Sequence, residues 1–175
     1  MSSIISIRPA RHGDIEKMIE IEDRAAELFR TIGYDYCADA PNRSEAEHRR
    51  AIDESITFVA ETDLGELVGF AMCELLDGVI HLAEIDVAPE FQRRGVARRL
   101  IETAGEWALA RNIGEMTLTT YRDAPWNAPY YARLGFELFS PEPARAGLVD
   151  TIRKEADWGF AFAPRVAMRM PLRPR

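Results

Sequence analysis

The strongest limit on the fold is set by the stretch Glu84-Ile-Asp-Val-Ala-Pro-Glu-Phe-Gln-Arg-Arg-Gly-Val-Ala-Arg-Arg-Leu100. A strand pattern stops at Pro89, an arginine-rich loop follows, and Gly95 opens a helix running to about residue 110. The apolar face of that helix is Val96, Leu100, Ile101, Ala104, Trp107 and Ala108, at helical spacing. The first turn of a helix leaves backbone N–H groups without partners, and the helix dipole adds partial positive charge there. Together they form a site for an anion, phosphate above all. Gly95 lets a ligand approach the backbone with no Cβ in the way. Ala97 is small enough to keep a second contact close, and Arg93, Arg94 and Arg98 add positive charge. Taken alone, the same residues also read as an ordinary charged helix start. No Gly-Lys-Ser/Thr and no three-glycine spacing occurs, which excludes a Walker loop and a dinucleotide fingerprint.

Around this unit the pattern alternates in type. Residues 4–8 read as a strand and 11–29 as an amphipathic helix. Residues 34–42 read as a loop, and a polar helix opens on Ser44 and Glu47, which have capping-box spacing. Strands follow at 57–61, 67–75 and 79–87, joined by Gly-containing turns. After the long helix come a strand at 116–121, a helix near 127–133 and a strand at 136–139. Residues 141–163 are Pro-rich and then mixed, and 165–170 alternate as a closing strand. The expected fold class is α+β, with helices flanking a mixed, mostly antiparallel sheet in three layers. One domain over 1–175 is expected: helices at 11–55, a core at 56–140 and a tail at 141–175.

Composition narrows the function. With 47% apolar and 29% charged residues in 175, the chain is globular and not low-complexity. The net charge of −7 argues against nucleic acid as a partner. No apolar run is long enough to cross a membrane, and the N-terminus lacks a signal peptide's pattern. Two cysteines, Cys37 and Cys73, are too few for a disulfide framework, so a cytoplasmic protein is expected. His12, His48 and His81 are scattered, so no metal site is expected. Asp14, Glu16, Glu20, Glu22, Asp23 and Glu27 stand against only Lys17 and Arg24. That stretch can draw a cationic ligand, or be a solvated helix face.

Val87-Ala-Pro-Glu-Phe-Gln92-Arg93-Arg94-Gly95-Val96-Ala97 resembles the acyl-CoA pyrophosphate loop of the GCN5-related N-acetyltransferase superfamily. Farther on, Trp126-Asn127-Ala128-Pro129-Tyr130-Tyr131-Ala132-Arg133-Leu134-Gly135-Phe136 resembles that family's second motif. The order and separation of the two also fit, and the resemblance covers residues 4–140. It departs from the pattern at Ala97, in a second glycine position, and in the short spacing from Asn127 to Tyr131.

The resemblance implies a sheet split into a V, with strand 79–87 on one arm and 115–121 on the other. It implies acetyl-CoA as acyl donor. The pantetheine would pair with backbone near Ile85 and Val87, and the pyrophosphate would rest on the amides from Gln92 through Arg93, Arg94, Gly95 and Val96 to Ala97. Asn127 would contact the pantetheine or phosphate side, and Tyr131 would lie near the sulfur. It admits a homodimer.

The chemistry is consistent with these assignments. A free alkylamine has a pKa of about 10.4, so a base must take its proton before it attacks a thioester. Glu84 can hold a water for that purpose, or be a solvent-facing strand residue; Glu22 and Glu27 are the runners-up. The backbone amide of Val87 is the candidate oxyanion donor. A thiol near 8.5 and a phenol near 10 are close enough for proton transfer, which suits Tyr131 as general acid. Tyr131 also reads as a packing residue, and Tyr130 is its rival. The expected function is transfer of an acetyl group to the primary amine of a small molecule or peptide, a cationic one if the acidic helix borders the acceptor. The alternative is a non-catalytic acyl-CoA-binding or sensor domain.

Overall fold

The computed structural model describes residues 4–54, 56–157 and 165–174. Its strands are β1 (Ile5–Pro9), β2 (Ile56–Thr62), β3 (Leu67–Leu76), β4 (Val79–Val87), β5 (Glu115–Tyr121), β6 (Glu137–Phe139) and β7 (Arg165–Pro171). The α-helices are α1 (Ile15–Ala26), α2 (Asp35–Ala38), α3 (Glu45–Glu54), α4 (Val96–Leu109), α5 (Ala128–Arg133) and α6 (Ala146–Asp157). The fold is α+β, built on a seven-stranded mixed sheet with flanking helices. The chain divides into two compact units, one of residues 1–74 and 83–107, the other of residues 75–82 and 108–175.

In the first unit β1 pairs antiparallel with β2, from Ile5 opposite Thr62 to Pro9 opposite Phe58. β2 pairs antiparallel with β3, with an irregularity between Ala60 and Glu61. The turn between them closes through Gly65, at φ +81°, whose N–H donates to the Thr62 carbonyl. Met18 and Ile21 of α1 are buried with Val59, Leu67, Phe70, Met72 and Ala88 in one apolar cluster. Those α1 residues lie three apart, so one helix stripe covers the sheet face. α4 buries Val96, Leu100, Ile101 and Ala104, the stripe its sequence announces. Ser44 and Glu47 form the expected capping box: Glu47 N–H donates to Ser44 Oγ at 3.3 Å, and Ser44 N–H to Glu47 Oε2 at 2.7 Å.

In the second unit β4 runs parallel to β5 over Ile80–Leu82 and Met116–Leu118. β7 lies between β5 and β6 and is antiparallel to both. Two stretches differ from the sequence reading. Part of the expected 34–42 loop is the one-turn helix α2. Within 141–163, residues 146–157 form α6, while the rest of the expected mixed stretch, 158–163, lies outside the described residues. α6 was hidden because its N-terminal partner is remote in sequence. Asp77, in the turn after β3, accepts the N–H groups of Gly147 and Leu148, each at 2.9 Å.

Candidate active site

The first unit holds the loop between β4 and α4. Ala88 N–H donates to the Val68 carbonyl at 2.9 Å, which ties the end of β4 to β3. A one-turn 3-10 helix, Pro89–Phe91, then redirects the chain. Two loop residues adopt left-handed backbone, Arg93 at φ +58° and Gly95 at φ +80°. Alternation of such residues with right-handed ones turns successive N–H groups toward one side. The first bond into α4 runs from Arg99 N–H to the Gly95 carbonyl at 3.1 Å. The N–H groups of Val96, Ala97 and Arg98 therefore stand ahead of the helical ladder. A Cβ built on Gly95 would meet no atom within 4 Å, so the space beside the loop backbone is open. A diphosphate fits a cradle of this kind, with N–H donors on one side and arginines around it.

The loop side chains divide their tasks. Gln92 Nε2 donates to the Val87 carbonyl at 3.1 Å, so this side chain fixes the loop to the strand. The Arg94 guanidinium lies over the Phe91 ring, 5.1 Å from its centroid. Arg98 pairs with Glu102 at 3.0 Å along the exposed side of α4. Val87 is buried, whereas Ile85 on the same strand is half-buried.

The same unit gathers a set of charged groups around Glu84. Glu84 Oε2 lies 3.4 Å from Arg43 Nε. The backbone N–H of Arg43 donates to Glu22 Oε1 at 3.1 Å, and His48 Nε2 meets Glu22 Oε2 at 3.1 Å. His48 is fully buried, with its ring edge-on to Phe70. Burial disfavours the Arg43 charge, but Glu84 and Glu22 outweigh it and raise its pKa. Asp86, two residues beyond Glu84, belongs to this set. Burial drives its carboxyl well above the usual carboxylate range, and Glu84 and Glu22 push it further, against Arg43. Of the two runner-up bases, Glu22 lies in this cluster; Glu27 is exposed and pairs with Arg30. Sequence reasoning missed Asp86, Arg43 and His48. The one available signal was a second carboxylate at strand spacing from Glu84.

The second unit holds the other motif. Asn127 precedes α5, and its carbonyl accepts the N–H groups of Tyr130 and Tyr131, both at 2.9 Å. Its Nδ2 donates to Thr120 Oγ1 at 2.7 Å, so the side chain anchors the start of α5 to β5. Tyr131 is 8% exposed and packs edge-on against Tyr130 and Phe136. Also here, His81 Nδ1 lies 3.0 Å from Thr117 Oγ1, and burial, aided by Arg165, pulls its pKa down to about 4. The Cys73 thiol, in the first unit, is pushed up to about 12 by burial, which removes it as a nucleophile.

The family model for the acetyltransferase (GNAT) family matches residues 15–136, a span containing both motifs. Among solved structures, the PaiA N-acetyltransferase from Thermoplasma acidophilum, in complex with coenzyme A, is similar over 96% of this chain and 99% of its own. Its identity is 16% and its TM-score 0.73. The ribosomal-protein-S18-alanine N-acetyltransferase from Escherichia coli matches over 98% of this chain and 96% of its own, at 20% identity and TM-score 0.67. A nourseothricin acetyltransferase is 31% identical over 69% of this chain and 66% of its own, with TM-score 0.53.

Proposed function

The chain belongs to the acetyltransferase (GNAT) family, and from that premise we propose that it moves an acetyl group from acetyl-CoA to a primary amine by direct attack, with Tyr131 as general acid and Glu84 as general base. Its donor is acetyl-CoA and its class is acyl-CoA-dependent acyltransferase. The observation that carries the proposal is the loop from Gln92 to Ala97, where left-handed Arg93 and Gly95 lead into helix N–H groups ahead of the ladder and a Cβ on Gly95 would meet open space.

The backbone amides of Gln92, Arg93, Arg94, Gly95, Val96 and Ala97 would hold the pyrophosphate. The Ile85 and Val87 backbone would take the pantetheine, and Asn127 would contact its pantetheine or phosphate side. Bound acetyl-CoA supplies a thioester carbonyl and a thiolate leaving group. Glu84 takes the ammonium proton through a water, because only the neutral amine is a nucleophile. The Val87 N–H stabilises negative charge on the carbonyl oxygen. Tyr131 returns a proton to the departing sulfur, and a phenol near pKa 10 is well matched to a thiol near 8.5.

A steady-state assay of CoA release with a panel of primary amines tests this. Release should require both acetyl-CoA and an amine. Tight CoA binding without turnover on any amine would replace the enzyme with a sensor domain.

A further inference from the structure

We propose that Asp86 binds a second cationic nitrogen of the acceptor, so that the enzyme prefers diamines and longer polyamines over monoamines. This rests on the acetyl-transfer reading above and extends it to the substrate class.

Three carboxyls meet in the first unit, and among the described residues one of them, Asp86, leaves an oxygen without a hydrogen-bond partner. Glu22 is held by the Arg43 N–H and by His48 Nε2, each at 3.1 Å. Glu84 faces the Arg43 guanidinium at 3.4 Å. Asp86 Oδ2 is sealed from solvent and has no hydrogen-bond partner among the described residues, although other atoms of Asp86 keep some exposure. His48 Nδ1 is a second buried polar atom without a partner among the described residues. Leaving such atoms unsatisfied is costly, so their presence points to a group that arrives from outside.

The charge of that group follows from its neighbours. Glu22, Glu84 and Asp86 share one nearby guanidinium, that of Arg43, which Glu47 also attracts. Burial and repulsion from Glu84 and Glu22 favour the protonated form of Asp86. An incoming cation can replace that proton and let the third carboxylate ionise. The reacting nitrogen cannot do so, because it must be neutral when it attacks. The cation beside Asp86 is therefore a different nitrogen of the same molecule. Two positions apart on β4, Glu84 and Asp86 fall on one face by strand alternation, roughly 7 Å apart along it, a separation that an extended 1,4-diaminobutane spans.

The test is calorimetry on the CoA-loaded protein with 1,4-diaminobutane and with n-butylamine, in two buffers of different ionisation enthalpy. The diamine should bind at least tenfold tighter and release more protons than the monoamine. Asp86→Asn, nearly isosteric with the protonated side chain, should abolish both differences. Equal affinities in the wild-type protein overturn the proposal without any variant, as does a preference that survives Asp86→Asn. Acetylation of both amines is assayed in parallel. Selective diamine binding without acetyl transfer sinks the enzymatic reading and leaves the subsite. Equal transfer to both amines, with equal affinities, does the reverse.

Discussion

Gly69 on β3 lies so close to Asp86 on β4 that a Cβ on Gly69 would fall 2.9 Å from the Asp86 carbonyl oxygen. The same Cβ would meet Val87 Cγ2 at 3.3 Å and Val96 Cγ1 at 3.4 Å. The nearest obstacle is backbone, which cannot turn aside as a side chain can. Gly69→Ala should therefore push β4 and the first residue of α4 outward. The expected cost is about 1–3 kcal/mol of stability, the range for overpacking, together with weaker binding of acetyl-CoA. Thermal melting and calorimetry check both. Wild-type values would mean that the strands yield without disturbing the loop.

At Gly95, conformation and space can be tested apart. The left-handed φ of +80° strains any branched residue, yet the neighbouring space is open. Gly95→Asn puts a residue that tolerates this region in the same place, whereas Gly95→Val adds strain of about 1–2 kcal/mol. Both variants should lose acetyl-CoA affinity, and the valine variant should also melt earlier. Retained affinity in a folded Gly95→Asn protein would remove the loop from donor binding.

Tyr131→Phe deletes a proton donor and keeps the ring that packs on Tyr130 and Phe136. Turnover should fall by roughly 10²–10⁴, the usual contribution of a general acid, with little change in the Kd for acetyl-CoA. The pH–rate profile should lose its alkaline limb. An unchanged profile and rate would exclude the phenol from the reaction.

The contribution of His81 to stability should fall on acidification between about pH 6.5 and pH 4. Burial holds the His81 imidazole neutral down to about 4, and Arg165 assists while Asp77 opposes. In that window the unfolded chain takes up a proton that the folded one refuses, so stability drops as pH falls, by up to about 3 kcal/mol. Asp86 acts with the opposite sign: its raised pKa stabilises the fold at low pH, and that gain fades as pH rises through the folded-state value. In His81→Asn, chemical denaturation should show stability falling less, or rising more, than in the wild type as pH is lowered across this range. An identical slope in both proteins would assign the acid sensitivity elsewhere.

Legibility from sequence followed the range of the interactions. The α3 cap was readable because Ser44 and Glu47 are three residues apart and serve each other. The α4 stripe was readable because Val96, Leu100, Ile101 and Ala104 repeat at helical spacing and are all buried. α6 was not, because Asp77 stands 70 positions before Gly147 and a remote cap leaves no local signature. The same holds for the carboxyl cluster. Glu84 attracted notice by its strand, the one expected to reach the sulfur, whereas the charges that act on Asp86 come also from Glu22 on α1 and Arg43 just before α3. His48 looked like one of three scattered histidines, and only folding sets its Nε2 on Glu22.

The position of β7 has a consequence for synthesis on the ribosome. β6 pairs with β7, and β5 takes β7 along its whole length, from Glu115 opposite Pro171 to Tyr121 opposite Arg165. Until residues 165–171 emerge, β5 and β6 wait with open hydrogen-bonding edges, the kind that recruit other chains. The residues of the first unit have all been translated by Trp107. A released chain ending at Pro164 should thus be cleaved readily within 115–139 by added protease, and the chain that carries 165–171 should resist cleavage there.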